Sequence, residues 1–231
     1  MEAVFNPTAP PAHERLRGSG FGLVLLLIAI SIGFQMGAPD EGWARLVVLV
    51  LQSATLLAAL HVAGVRHWIV RAAGVISGIA CLSAAGLLIG SGDLGQLSTR
   101  SVGLMLVIIA PLAIGAGMVR HFRAVGRVTL TTMFAVLCIY LLLGMAFAFA
   151  YGIISEISDA SFFAQHAKTE QSNLLYFSFT TMTTTGYGDL TPATPPGRSV
   201  AIFEQLMGQI YLVTVVALIV GNLGRRTARV R

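Results

Sequence analysis

The sequence predicts an all-α membrane protein with six transmembrane helices and a short re-entrant helix between the fifth and the sixth. Three observations carry that reading. Of 231 residues, 55% are hydrophobic and only 11% are charged, where a soluble domain carries about 25% charged residues. The apolar residues gather into six stretches, each roughly the ~20 residues a helix needs to cross the hydrocarbon layer. The charges between those stretches sort by side. This composition argues against a soluble enzyme and against disorder away from the chain ends, and a net charge of +5 is too small to point to nucleic acid.

Taken in order, residues 1–18 hold Pro7, Pro10 and Pro11 among polar neighbours. Such a segment buries too little apolar surface to fold alone and is read as a mobile cytoplasmic tail. A four-helix transmembrane domain is expected over 19–126, with apolar stretches at 20–36, 45–65, 68–90 and 102–119. The first has the basic flank and apolar centre of a secretion signal. Its leader is long and no A-x-A site follows, so it is read as an uncleaved span. Gly74-x-x-x-Gly78 and Gly86-x-x-x-Gly90 in the third stretch allow close helix approach, and Pro111 is expected to kink the fourth. Two further spans, 128–154 and 199–223, belong to a second unit over 127–224, followed by a basic cytoplasmic tail at 225–231.

With the N-terminus inside, eleven of the fifteen Lys and Arg residues fall on inner segments, while Arg45, Arg100, Lys168 and Arg198 fall outside. The acids Asp40, Glu41, Asp93, Glu156, Asp159, Glu170 and Asp189 all fall outside. This is the asymmetry of the positive-inside rule, and it places both termini in the cytoplasm of a cell (inner) membrane protein. The inner clusters Arg120/Arg123/Arg127 and Arg225/Arg226/Arg229/Arg231 are read as topology determinants, with anionic lipid of the bilayer as a candidate partner. Cys81 and Cys138 lie far apart in apolar runs and are read as buried thiols.

Residues 155–198 break the pattern of simple connections. They open polar, and 173–182 then reads as a helix too short to span, with Ser172 or Asn173 available as its N-cap. Irregular backbone at membrane depth is tolerated where it lines a water-filled path or is buried in protein. The run Thr184-Thr185-Gly186-Tyr187-Gly188-Asp189 follows. Gly186 and Gly188 permit backbone angles that aim successive carbonyls one way. Four such carbonyl ladders around one axis form oxygen cages that replace an ion's water shell. Tyr187 would point away from that axis and be braced by Tyr176, Phe177 or Phe179. Asp189 reads either as an outer-mouth charge with a hydrogen bond that holds the loop, or as a turn residue before Leu-Thr-Pro.

Those residues resemble the T-V-G-Y-G-D selectivity filter of the potassium channel family, with Thr185 in the valine position. The resemblance covers about 127–224, and Glu204-Gln205-Leu206-Met207-Gly208-Gln209-Ile210-Tyr211 is similar to the inner helix of small bacterial members. It implies an outer helix, pore helix, filter and inner helix, with K⁺ held at Thr184, Thr185, Gly186 and Tyr187, and with Gly188 closing the ladder. It implies Gly208 as a hinge glycine. It also implies that Thr180 stands where many members carry a carboxylate, so that no carboxylate pair with Asp189 forms. The expected activity is passive, potassium-selective conduction by a homotetramer, with a non-selective monovalent cation channel as the alternative. No cofactor, catalytic constellation or nucleic-acid partner is expected.

Glu204 is an acid inside a span, which is a functional-site hypothesis by default. It reads as a structural or electrostatic group supporting the filter, or as a protonated or Thr-satisfied buried acid with no transport role. The fourth stretch lacks the repeated Arg or Lys of a voltage sensor, with Arg100 and Arg120 only at its edges, so weak or no voltage sensing is expected.

Overall fold

A computed structural model describes residues 12–91, 96–125, 130–158 and 160–227, with backbone alone at 12–19, 91, 96–97, 118–125, 130–131, 216 and 218–227. Seven helices account for nearly all of these residues: α1 (Ala12–Gly37), α2 (Gly42–Val62), α3 (His67–Ser91), α4 (Gln96–Val125), α5 (Leu130–Ile157), α6 (Gln171–Met182) and α7 (Pro195–Thr227). Five segments among the described residues are long and apolar enough to cross a membrane: Gly20–Gly37, Gly42–Val62, His67–Gly90, Ser98–Gly117 and Thr132–Ile157. The protein is therefore a helical membrane protein. The sixth expected stretch, 199–223, lies in α7, and most of its side chains from 216 onward fall outside the described ones. The same holds for both inner arginine clusters.

The elements end where local chemistry ends them. α2 stops at a Gly64 with φ of 67°. There the Val65 N–H bonds the Leu60 carbonyl at 3.2 Å and the Gly64 N–H bonds the His61 carbonyl at 3.1 Å, a Schellman turn that needs the left-handed glycine. Between α1 and α2, Arg45 pairs with Asp40 at 3.0 Å, and the Trp43 indole donates to Glu41 while meeting Phe34 edge-on. Two boundaries differ from the sequence reading. α1 begins at Ala12, inside the segment assigned to the tail, and α6 begins at Gln171 with Glu170 at its N-cap. Asn173, expected as a cap, instead donates to the Lys168 carbonyl at 2.9 Å.

α5 is the spine. It packs along α4 and α1 on one side and against α6 and α7 on the other, while α2 covers α1 and α4 and α3 touches the bundle through α2. Val24 and Ile28 of α1, Leu56 and Ala59 of α2, Val107 and Ile114 of α4 and Leu142 and Met145 of α5 form the buried seam. α3 presents Ile76, Leu82 and Ile89 outward, as a span facing lipid does. Within the chain, Leu57 meets Gly74 in ordinary contact and nothing lies close to Gly78, Gly86 or Gly90. A tight approach is made at Gly117 of α4, where an added Cβ would stand 2.9 Å from the Ala63 backbone. Pro111 lies inside α4, which continues through it as one helix.

Candidate functional site

α6 is 12 residues long, about 18 Å at 1.5 Å per residue, well short of the ~30 Å hydrocarbon layer. It is lodged between α5 and α7, with α1 against it. Leu174, Leu175, Ser178 and Met182 line its buried side. Gln171 in its first turn donates to Gln35 of α1 at 3.2 Å.

The 183–189 loop leaves the C-terminal end of α6 with an alternating backbone. φ is positive at Thr184 (58°), Gly186 (51°) and Gly188 (81°), and negative at Thr185 and Tyr187 between them. Alternating left- and right-handed residues aim successive N–H groups to one side, and hence the carbonyls to the other. The N–H side is spent on α6. Thr185 N–H and Gly186 N–H converge on the Thr180 carbonyl at 2.9 and 3.1 Å, and Thr184 N–H bonds the Thr181 carbonyl at 2.9 Å. A β-branched residue at positive φ costs about 1–3 kcal/mol and persists only where its surroundings impose it. Thr184 is such a residue. The Thr185 hydroxyl lies 2.9 Å from the Thr183 hydroxyl, and Thr183 Oγ1 in turn donates to the Phe179 carbonyl at 2.6 Å.

The outer end of the loop is tied to α6 by aromatic and polar contacts. Tyr176 stacks on Tyr187 with ring centroids 6.3 Å apart and an interplanar angle of 6°. Its hydroxyl donates to Asp189 Oδ2 at 2.8 Å. Beyond Asp189 the chain pairs with the segment before α6. Ala193 N–H bonds the Phe162 carbonyl at 2.8 Å, and Ala164 N–H bonds the Thr191 carbonyl at 2.9 Å. Phe162 and Phe163 are buried with Tyr151 and Phe177 in one cluster, their centroids 5.0 to 6.1 Å apart.

Behind α6 sits Glu204 of α7, fully buried. Tyr151 of α5 donates to its Oε2 at 2.5 Å. Ser178 Oγ lies 2.5 Å from its Oε1 and 2.7 Å from the Gly144 carbonyl. One turn further along both helices, Gly208 meets Met182, and an added Cβ would stand 2.5 Å from the Met182 carbonyl oxygen. Closer to the far end of α7, the Tyr211 hydroxyl donates to the Val136 carbonyl at 2.7 Å and its ring stacks on Tyr140.

Near the start of α4, Arg100 is buried with 5% of its surface exposed. It donates to the Gly152 carbonyl at 3.0 Å, to Glu156 Oε1 at 2.7 Å and to the Thr169 carbonyl at 2.6 Å. One side chain thus joins α4, the end of α5 and the residue before the α6 cap.

Of the residues singled out by sequence, Thr180, Thr184, Thr185, Gly186, Tyr187, Gly188, Asp189 and Tyr176 come together at the loop. Thr180 serves through its carbonyl. Its hydroxyl turns back to the Phe177 carbonyl, and the Asp189 carboxylate is held by Tyr176. Phe177, on the buried side of α6, packs with Tyr151, Phe162 and Phe163, and Glu204 lies behind α6, so neither braces the loop. Gly208 sits at the tightest approach of α7 to α6. Sequence reasoning missed Tyr151, Ser178, Phe162, Phe163 and Arg100. Only Arg100 left a signal, as a lone basic residue at the edge of an apolar stretch.

The site is a strained, glycine-containing loop held at the end of a short helix inside a bundle of membrane-spanning helices, an arrangement suited to presenting backbone oxygens to a cation. The family model described as "Ion channel" matches residues 135–224, which run from α5 through the loop into α7. The match indicates an ion channel. It covers roughly two-fifths of the chain and leaves α1–α4 outside. No curated protein matches the chain.

Proposed function

We propose that this protein conducts K⁺ passively and selectively through a pore made by four copies of the chain. The observation that carries the reading is the alternating backbone of the 183–189 loop, with N–H groups folded back on Thr180 and Thr181. That geometry leaves the carbonyls of Thr184, Thr185, Gly186 and Tyr187 as the opposed row, the donor set that suits a dehydrated monovalent cation. α6 ends at this loop, and the negative end of a helix dipole favours a cation beyond it. α6 is then a re-entrant pore helix, α5 the outer helix and α7 the inner helix and sixth span.

Four chains follow from the chemistry, since one chain supplies one row of oxygens. Ile202, Phe203, Leu206, Ile210 and Val213 of α7 are exposed in the single chain, and so is Tyr187. A tetramer supplies cover for that face. The distribution of Lys and Arg supports a cell-membrane protein with both termini cytoplasmic. A neutral Tyr187 in the loop favours selective over non-selective conduction.

The test is the reversal potential of the purified protein in planar bilayers, with K⁺ on one side and Na⁺ on the other. A value near the K⁺ equilibrium potential is expected. A reversal near zero with robust current would establish a non-selective cation pore and overturn the selectivity reading.

A further inference from the structure

We infer that Glu204 is held as a neutral carboxylic acid that donates its proton to Ser178, and that through this bond it positions the pore helix. The argument is a count of hydrogens. Three short oxygen–oxygen contacts meet in one buried place: Tyr151 Oη to Glu204 Oε2 at 2.5 Å, Glu204 Oε1 to Ser178 Oγ at 2.5 Å, and Ser178 Oγ to the Gly144 carbonyl at 2.7 Å. Each contact needs one hydrogen between its oxygens. The carbonyl brings none, and each hydroxyl brings one. A carboxylate leaves two hydrogens for three contacts and sets two bare oxygens against each other. A carboxylic acid supplies the third.

The direction of the chain then follows. Ser178 can satisfy the Gly144 carbonyl only by donating to it, so its oxygen is left to accept from Glu204. Tyr151 donates to the other carboxyl oxygen. Tyr151, Ser178 and Glu204 are all fully buried, and no ion pair of the described residues involves Glu204. Among the described residues, the charged side chains on or beside α5, α6 and α7 are engaged elsewhere: Glu156 with Arg100, Glu170 with Lys168, and Arg198 with the Pro192 carbonyl. An ionised carboxylate buried without an ion-pair partner is expensive, and such groups ordinarily take up a proton.

The consequence concerns α6. Ser178 lies two residues before Thr180, whose carbonyl collects the N–H groups of Thr185 and Gly186. Ser178 of the pore helix is therefore held by the acid on α7 and by the Gly144 carbonyl on α5, one turn before the Gly208–Met182 contact, while Tyr151 fixes the acid from α5. Glu204 is a positioning residue and touches no ion. That role rests on the potassium-channel reading, whereas the protonation state does not.

The experiment is infrared spectroscopy of the purified protein in lipid vesicles at neutral pH, in H₂O and D₂O, for the parent chain, Glu204→Gln and Ser178→Ala. A protonated-carboxyl carbonyl band is expected in the parent. It should shift in D₂O, vanish in Glu204→Gln, and move in Ser178→Ala, where the proton loses its acceptor. A parent spectrum without the band, or a band that survives Glu204→Gln, overturns the neutral acid. Neither outcome bears on selectivity, which the reversal potential reads separately.

Positioning is tested by rescue. Glu204→Gln keeps one acceptor and one donor and should hold the K⁺/Na⁺ permeability ratio near the parent value. Glu204→Ala should lower it about tenfold, the scale of one buried hydrogen bond lost. Equal ratios in Glu204→Ala and the parent overturn the positioning role. If the alanine variant does not assemble, Ser178→Ala carries the same comparison.

Discussion

The Tyr176 hydroxyl donates to Asp189 Oδ2 across 2.8 Å, tying the second turn of α6 to the residue that follows the glycine loop. The same tyrosine lies parallel to Tyr187, so one side chain braces the loop twice, by a ring face and by a proton. Removing the proton alone separates the two. Tyr176→Phe keeps the stack and should let K⁺ current decline faster during sustained recording, with the reversal potential little changed. Asp189→Asn retains an acceptor and should fall between it and the parent. Indistinguishable decline in all three would show that this bond does not hold the outer mouth.

Gly208 has two physical accounts, a hinge or a contact. An added Cβ would lie 2.5 Å from the Met182 carbonyl oxygen, which is backbone and cannot swing aside. Gly208→Ala should therefore lower stability by about 1–3 kcal/mol, the usual cost of overpacking a tight seam. Thermal unfolding in detergent reads this directly. A variant with altered gating and an unchanged unfolding midpoint would instead favour the hinge.

Arg100 holds two carbonyls and one carboxylate at 2.6 to 3.0 Å. Arg100→Met would leave Glu156 and the Thr169 carbonyl without their donor. The loss should approach the ~3–5 kcal/mol of a broken buried pair, toward the lower end because Glu156 is partly exposed. Arg100→Lys should recover only part of it, since an ammonium cannot reproduce the planar fork. Circular dichroism melts of the three proteins supply the check, and a melt for Arg100→Met equal to the parent's would refute the bridge.

The span Ser98–Gly117 carries a single basic residue, Arg100, and that residue is fully engaged. Conductance should be close to independent of voltage over the range in which voltage-gated channels open steeply. Steady-state currents in symmetric K⁺ decide this. A steep sigmoid would require another set of moving charges.

Much of the architecture was legible because it is written locally. Apolar runs long enough to span and a short helix before a threonine–glycine run each depend on neighbours within a few residues. The loop residues 184–188 were legible for the same reason: handedness alternation is a property of consecutive residues, and glycine marks two of its three positive-φ positions. The third, Thr184, was named as an oxygen donor, but its strained backbone was not foreseeable, because a β-branched residue disfavours positive φ. The α6 cap falls on Glu170 rather than on Ser172 or Asn173, where several local solutions existed and packing chose among them.

The sequence by itself determined that this is a helical membrane protein, where five of its apolar spans run, and which residues form the loop. Only the tertiary structure decided what each isolated polar group inside the bundle does. Glu204 was visible as an anomaly, yet its partners lie 53 and 26 residues away, on α5 and α6. Arg100 looked like a residue at the rim, yet its partners lie 52 to 69 residues away. A buried polar group must find a partner because leaving it unpaired costs too much. Which partner it finds depends on helix rotation and offset, and those are set by the packing of whole faces and not by any short run of residues.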